Sequence, residues 1–157
     1  MNAWRLRQKA LELLADEGGT VYKDHGGRIR VALAFPHTYF VGMSNLGVQV
    51  VYGLLNARED VVCERVFMPE PEDEPVYAAG RAVLGSLESG TPLHAFDLVA
   101  FSLCYEQDYV NVLKMLAWGG LSPRRAERAE MAPLVIGGGI CVFYNPEPLA
   151  DFFDLFL

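Results

Sequence analysis

What the sequence lacks narrows the field first. Its 157 residues include only three histidines and three cysteines, and Cys63, Cys104 and Cys141 lie far apart. With no CxxC pair, a structural zinc site is not expected. The CxxxCxxC run that would gather three thiolates around an iron–sulfur cluster is missing as well. The cysteines therefore read as reduced core residues. No HExxH or GxGxxG occurs, and His25, His37 and His94 are too scattered to suggest a Ser-His-acid set. No stretch approaches about 18 consecutive apolar residues, so no membrane-spanning helix is expected. Arg5, Arg7, Lys9 and Glu12 interrupt the amino-terminal segment. That breaks the apolar run a secretion signal needs, and a cytoplasmic location is the default expectation. Positive charge is also scarce. A net charge of −7 opposes sequence-independent contact with a phosphate backbone. The one dense basic patch, Arg124, Arg125 and Arg128, reads as a solvated face. The acidic run Glu70, Glu72, Asp73 and Glu74 reads the same way.

What is present is apolar patterning. Hydrophobic residues make up 52% and charged residues 21%, as in a globular domain. Residues 3–15 form an amphipathic pattern with Trp4, Leu11 and Leu14 on one face and Leu6, Ala10 and Leu13 beside it. Gly18-Gly19 stops it. Residues 20–23 and 28–35, joined across Asp24-His25-Gly26-Gly27, read as a β-hairpin. The apolar run Arg30 to Phe35 then reads as a strand buried on both faces. Ser44 or Asn45 can cap a helix over 46–55, with Leu46, Val50, Val51, Leu54 and Leu55 on its apolar stripe. Further strands are expected at 61–67, 97–103, 133–136 and 154–157. Helices are expected at 75–84, from an Asp108 cap to about Trp118 with Val112, Leu113, Leu116 and Ala117 inward, and at 146–152. This alternation implies an α/β fold of the flavodoxin-like kind. It has an open, mostly parallel five-stranded sheet with helices on both faces, preceded by an amino-terminal helix (1–19) and the hairpin. Residues 20–157 form the α/β domain. The run Phe152 to Leu157 stops in an apolar strand with nothing to cover it, so truncation from a longer protein is expected.

In open parallel sheets ligands bind beyond the carboxyl ends of the strands. Three such ends carry unusual residues. They are 36–45, with His37, Thr38, Tyr39, Gly42, Met43, Ser44 and Asn45; 102–106, with Ser102, Leu103 and Tyr105; and 137–145, with Gly137, Gly138 and Gly139. The glycines let backbone approach a guest, and Tyr39, Phe40, Tyr105, Phe143 and Tyr144 can wall a flat ring. Each has a plainer reading: a turn for the glycines, a cap for Ser44 or Asn45, a solvated loop for His37, core or interface for the tyrosines. Their meeting at one edge is what favours a site. No catalytic or metal-binding constellation is expected within the chain.

Several runs carry a family resemblance. They are Leu33-Ala34-Phe35-Pro36, Val41 to Gly47, Glu64 to Phe67, Ser86 to Gly90, Phe101-Ser102-Leu103 with Tyr105-Glu106, Gly137 to Gly139, and Asn145 to Phe152. As a set they resemble the amino-terminal, cobalamin-binding-like domain of radical S-adenosylmethionine iron–sulfur proteins. The resemblance implies a downstream radical domain holding a 4Fe-4S cluster and S-adenosylmethionine. It also implies a corrinoid at the three loops and a macromolecular substrate, such as RNA, for the parent protein. Domains that ligate cobalt through histidine look like Asp-x-His-x-x-Gly. Here His37 follows Pro36 and lies five residues before Gly42, so histidine ligation is not implied. Ser102 with Leu103, and Gly137 with Gly138, match the parts that hold the corrinoid's nucleotide tail. The same residues also suit a cofactor-free docking or scaffold domain. A free-standing flavin or nucleotide binder is a third reading, opposed by the absence of a phosphate loop.

Overall fold

A computed structural model describes residues 3–157. The first two residues of the expected 1–19 segment lie outside the described residues. Strands β1 (Ile29–Phe35), β2 (Val61–Phe67), β3 (Leu98–Ser102), β4 (Leu134–Gly138) and β5 (Leu155–Phe156) form one sheet in the order β2-β1-β3-β4-β5. Every pairing is parallel. Such a sheet needs crossovers, and the helices supply them on both faces. The α/β, flavodoxin-like class is thus the observed one.

Helix α3 (Leu46–Asn56) covers β1 and β2 on one face, where Val31, Leu33, Phe35, Val48, Tyr52 and Cys63 form a core. Helix α1 (Ala3–Ala15) closes that core through Leu14. Helix α5 (Tyr109–Trp118) covers the other face. There Ala32, Ala34, Val99, Phe101, Val112, Met115, Leu116, Val135 and Phe153 pack together. Short helices α2 (Tyr39–Met43), α4 (Glu74–Ala78) and α6 (Ile140–Tyr144) sit at strand ends or in connections.

Several expectations are corrected. Residues 20–23 form no hairpin with β1, because β2 and β3 already occupy both of its edges. The segment instead lies against α3. The Val21 N–H donates to the Tyr52 hydroxyl at 2.9 Å, and the Lys23 ammonium donates to the carbonyls of Asn56, Arg58 and Val61. Gly27, at φ 71°, turns the chain into β1. The expected helix over 75–84 is only α4, stopped before Gly80 at φ 66°. Trp4 and Leu11 of α1 point outward, and Leu6, Ala10, Leu13 and Leu14 face in.

In α3 the expected apolar stripe is not the buried one. Val48, Tyr52 and Asn56 are buried, and Leu46, Val50, Val51 and Leu54 are exposed. In α5, Met115 is buried in place of Ala117. Asp108 precedes that helix without capping it through its side chain. The acidic run is not wholly solvated: Asp73 is buried and paired with Lys9 at 2.5 Å.

Candidate functional site

The parallel arrangement puts all five strand carboxyl ends on one rim. The loops after β1, β3 and β4 meet there. The Leu103 N–H donates to the Gly138 carbonyl at 2.8 Å, and the Leu103 carbonyl accepts from the Cys141 N–H at 3.3 Å. Gly139, at φ 110°, lies so close that a Cβ would stand 2.5 Å from the Leu103 carbonyl oxygen. Glycine is required there on both counts. Between the other two loops, the Asn45 amide nitrogen reaches the Cys104 sulfur at 3.3 Å.

Residue by residue, the first loop is mostly structural. The His37 ring is half-buried, and its Nδ1 accepts from the Thr38 N–H at 2.9 Å. Thr38 starts α2 without a side-chain cap bond. The Tyr39 ring packs edge-on against Phe40 and Phe67. Burial, then the nearby Glu17 charge, raises its phenol above the ordinary value. Gly42 is buried where a side chain would run into the Phe67 ring. The Met43 sulfur contacts the Arg65 guanidinium at 3.2 Å. Ser44 is exposed, and its hydroxyl donates to the Phe40 carbonyl. Asn45 caps α3 by accepting from the Val48 N–H at 3.1 Å, as its type and position predict.

In the other loops, Leu103 is fully buried and Tyr105 is exposed. Ser102 pairs in register with Gly138, both half-buried at the ends of their strands. A Cβ placed on Gly138 would meet only Leu157, at 4.0 Å, so the space before it is open. Gly137 packs on Phe153 and Phe156. A depression of about 360 Å³ lies between these two loops, lined by Cys104, Tyr105, Ile140, Cys141 and Tyr144 among others. That volume sits at the lower end of the range for small-molecule sites.

The strand order reverses between β1 and β3, and that crevice is bridged. The Asn111 amide donates to the Pro36 carbonyl at 3.0 Å. Beside it Asp108 is buried, with its Oδ2 lacking any hydrogen-bond partner. Burial raises the Asp108 carboxyl above the usual range, partly offset by His37 and by a hydrogen bond from Asn111.

Pattern reading missed a buried ionic cluster on β2. Arg65, 2% exposed, lies between Glu17 and Glu88 and 4.6 Å over the Tyr52 ring. On the opposite face of β2, Glu64 accepts from Ser86 and Ser89 at 2.5 Å and pairs with His25 at 2.8 Å. The available signal was charge inside an otherwise apolar strand, which demands buried partners. In the basic patch Arg124 and Arg125 are exposed, as a solvated face requires, and Arg128 alone turns inward to pair with Asp154 at 3.0 Å.

An iron–sulfur cluster does not fit within this chain. Cys63 is in the α3-side core, and burial pushes its thiol up to about 12. Cys104 and Cys141 are at the rim, and no group of three metal-ligating side chains exists among the described residues. No helix among the described residues is long and apolar enough to cross a membrane.

Comparison with known proteins bears on this rim. Residues 47–157 match the family described as radical SAM proteins, N-terminal. The chain is also similar to an uncharacterised protein of Methanocaldococcus jannaschii, with 26% identity over 127 residues. That match covers 81% of this chain and 23% of the relative, so the chain spans about a quarter of the relative's length. No solved structure matches. The family match covers the rim loops after β3 and β4 and more than half of the chain, and the protein belongs to the radical S-adenosylmethionine family, as an amino-terminal region of it.

Proposed function

We propose that this chain is the corrinoid-binding-like module of a larger radical S-adenosylmethionine enzyme, and that it acts by holding and orienting a ligand at its carboxyl rim. The observation that carries the reading is the pairing of Ser102 with Gly138 at the ends of β3 and β4, with open space before them. The two small residues leave a slot that larger side chains would fill. Tyr105, Ile140 and Tyr144 line the depression between the loops that follow these two strands, an apolar surface suited to a flat macrocycle. When bound, a corrinoid supplies a redox-active cobalt; the residues here bind it, orient it and shield one side from water. His37 is not cast as a cobalt ligand, since its Nδ1 is engaged within its own loop. The 4Fe-4S cluster and S-adenosylmethionine are assigned to a catalytic domain elsewhere in the parent protein.

A second reading, a cofactor-free docking domain for the parent's macromolecular substrate, is favoured by one observation. Asn45–Cys104 and Asn111–Pro36 already bridge the crevice at the strand-order reversal. With a net charge of −7, an RNA substrate would be held by other parts of the parent protein.

Hydroxocobalamin added to the full-length protein separates the two. The corrinoid reading expects the cofactor to co-elute on gel filtration, Gly138→Val to abolish co-elution, and His37→Ala to leave the visible spectrum unchanged. Absence of co-elution at high micromolar cofactor overturns it and leaves the docking reading.

A further inference from the structure

We propose that the cavity bounded by α1 beyond the carboxyl end of β2 is a binding site for a small uncharged ring bearing one hydrogen-bond donor, such as a phenol. It is separate from the depression between the loops after β3 and β4.

The cavity has a volume of about 140 Å³ and lies between α1, the residues that follow Phe67, and the 84–87 segment. Leu6, Leu13, Phe67, Met68 and Leu84 make its walls mostly apolar. Tyr77, stacked on Trp118 at 5.7 Å, stiffens one side. Protein interiors hold few voids larger than a water molecule. An apolar cavity of about 150 Å³ stays dry and takes a benzene ring. The volume here therefore matches one six-membered ring. Of the three loops assigned to the rim, only the first reaches this cavity, through Tyr39.

The polar group that reads the ligand is Asp73. It is 3% exposed and lines the cavity, and its Oδ1 has no hydrogen-bond partner. Its Oδ2 is taken by the Lys9 ammonium at 2.5 Å. Asp73 stands at the N-cap of α4, where an aspartate ordinarily accepts from the helix. Its side chain makes no cap bond. A buried carboxylate oxygen left unpaired is costly, and a donor entering the cavity removes that cost. Ser86 on the cavity wall does not supply it, because its hydroxyl donates to Glu64 at 2.5 Å.

Charge sets the class of ligand. Glu70, Glu72 and Asp73 gather against Lys9 and Arg5. The excess of negative charge disfavours an anion, and Lys9 beside Asp73 disfavours a second ammonium. A neutral O–H or N–H donor on an apolar ring meets both conditions.

The test is a fluorine NMR titration of the full-length protein. Para-fluorophenol should bind saturably, and para-fluorotoluene roughly ten-fold more weakly for want of the donor. Para-fluorobenzoate should not bind. Ala10→Phe, which puts a ring into the cavity, should abolish para-fluorophenol binding. Asp73→Asn should lower the preference for the phenol over the toluene, because an amide oxygen accepts more weakly than a carboxylate. Circular dichroism checks the fold of both variants; should Ala10→Phe unfold, Asp73→Asn decides. No saturable binding of para-fluorophenol by the wild-type protein, equal affinity for phenol and toluene, binding of the benzoate, or an unchanged phenol preference in Asp73→Asn overturns the inference. So does unchanged binding in a folded Ala10→Phe variant. None of these readouts involves a corrinoid, so failure here is distinguishable from failure of the rim reading.

Discussion

Arg65 shows what a single buried cation demands of its surroundings. It sits on a strand whose seven residues are all buried, and it is held by two carboxylates and a tyrosine face. Burial pushes the Glu88 carboxyl up, while Arg65 pulls it down. Arg65→Met leaves Glu17 and Glu88 uncompensated and should cost about 3–5 kcal/mol in urea unfolding. Asp108 is the opposite case, a buried carboxylate with an orphan oxygen. Its folded-state pKa is raised, so the folded state holds its proton more tightly than the unfolded state. Its contribution to stability therefore falls as pH rises from the ordinary carboxylate value through the raised one. Asp108→Asn should raise the urea midpoint at neutral pH, with the gain shrinking as pH falls through the raised value toward the ordinary carboxylate range. An unchanged midpoint at neutral pH contradicts this. Neither environment is readable from local sequence. Glu17 and Glu88 lie 48 and 23 positions from Arg65, and only the fold brings them together.

At the scale of elements, local chemistry decided some outcomes and tertiary packing the others. Asn45 was legible because a cap needs only its own helix. Asn45→Ala should cost roughly 1 kcal/mol by the lost cap, and in addition free Cys104 to react faster with iodoacetamide. An unchanged labelling rate would show that the Asn45–Cys104 contact does not shield the thiol. Helix α3 was misread on its face, since it carries two apolar stripes and periodicity alone cannot rank them. The stripe through Val48 and Tyr52 won because Tyr52 also satisfies the Val21 backbone. The hairpin failed for a related reason. Residues 20–23 have strand-like composition, yet β1 had no edge to give them. Helix α6 was hidden because its five apolar residues follow a glycine run that reads as a loop.

For the whole molecule, the alternation of buried strands and helices carried the parallel sheet, and the sheet carried the rim. Leu33, Ala34 and Phe35 read as doubly buried and are so. Convergence of the loops after β1, β3 and β4 follows from strand polarity alone, so it is legible in the sequence. The size of the opening was not. It depends on Asn45 meeting Cys104 and on Gly139 lying against Leu103, contacts fixed by side-chain packing. The family match at 47–157 adds the setting, one part of a radical S-adenosylmethionine protein. The ligand-holding role of the rim is most directly tested by hydrogen–deuterium exchange of the full-length protein with and without hydroxocobalamin. The account predicts slowed exchange in 36–45, 102–106 and 137–145 together, and little change in α1 or the outer face of α5. No protection in those loops, or protection confined to another region, would contradict it.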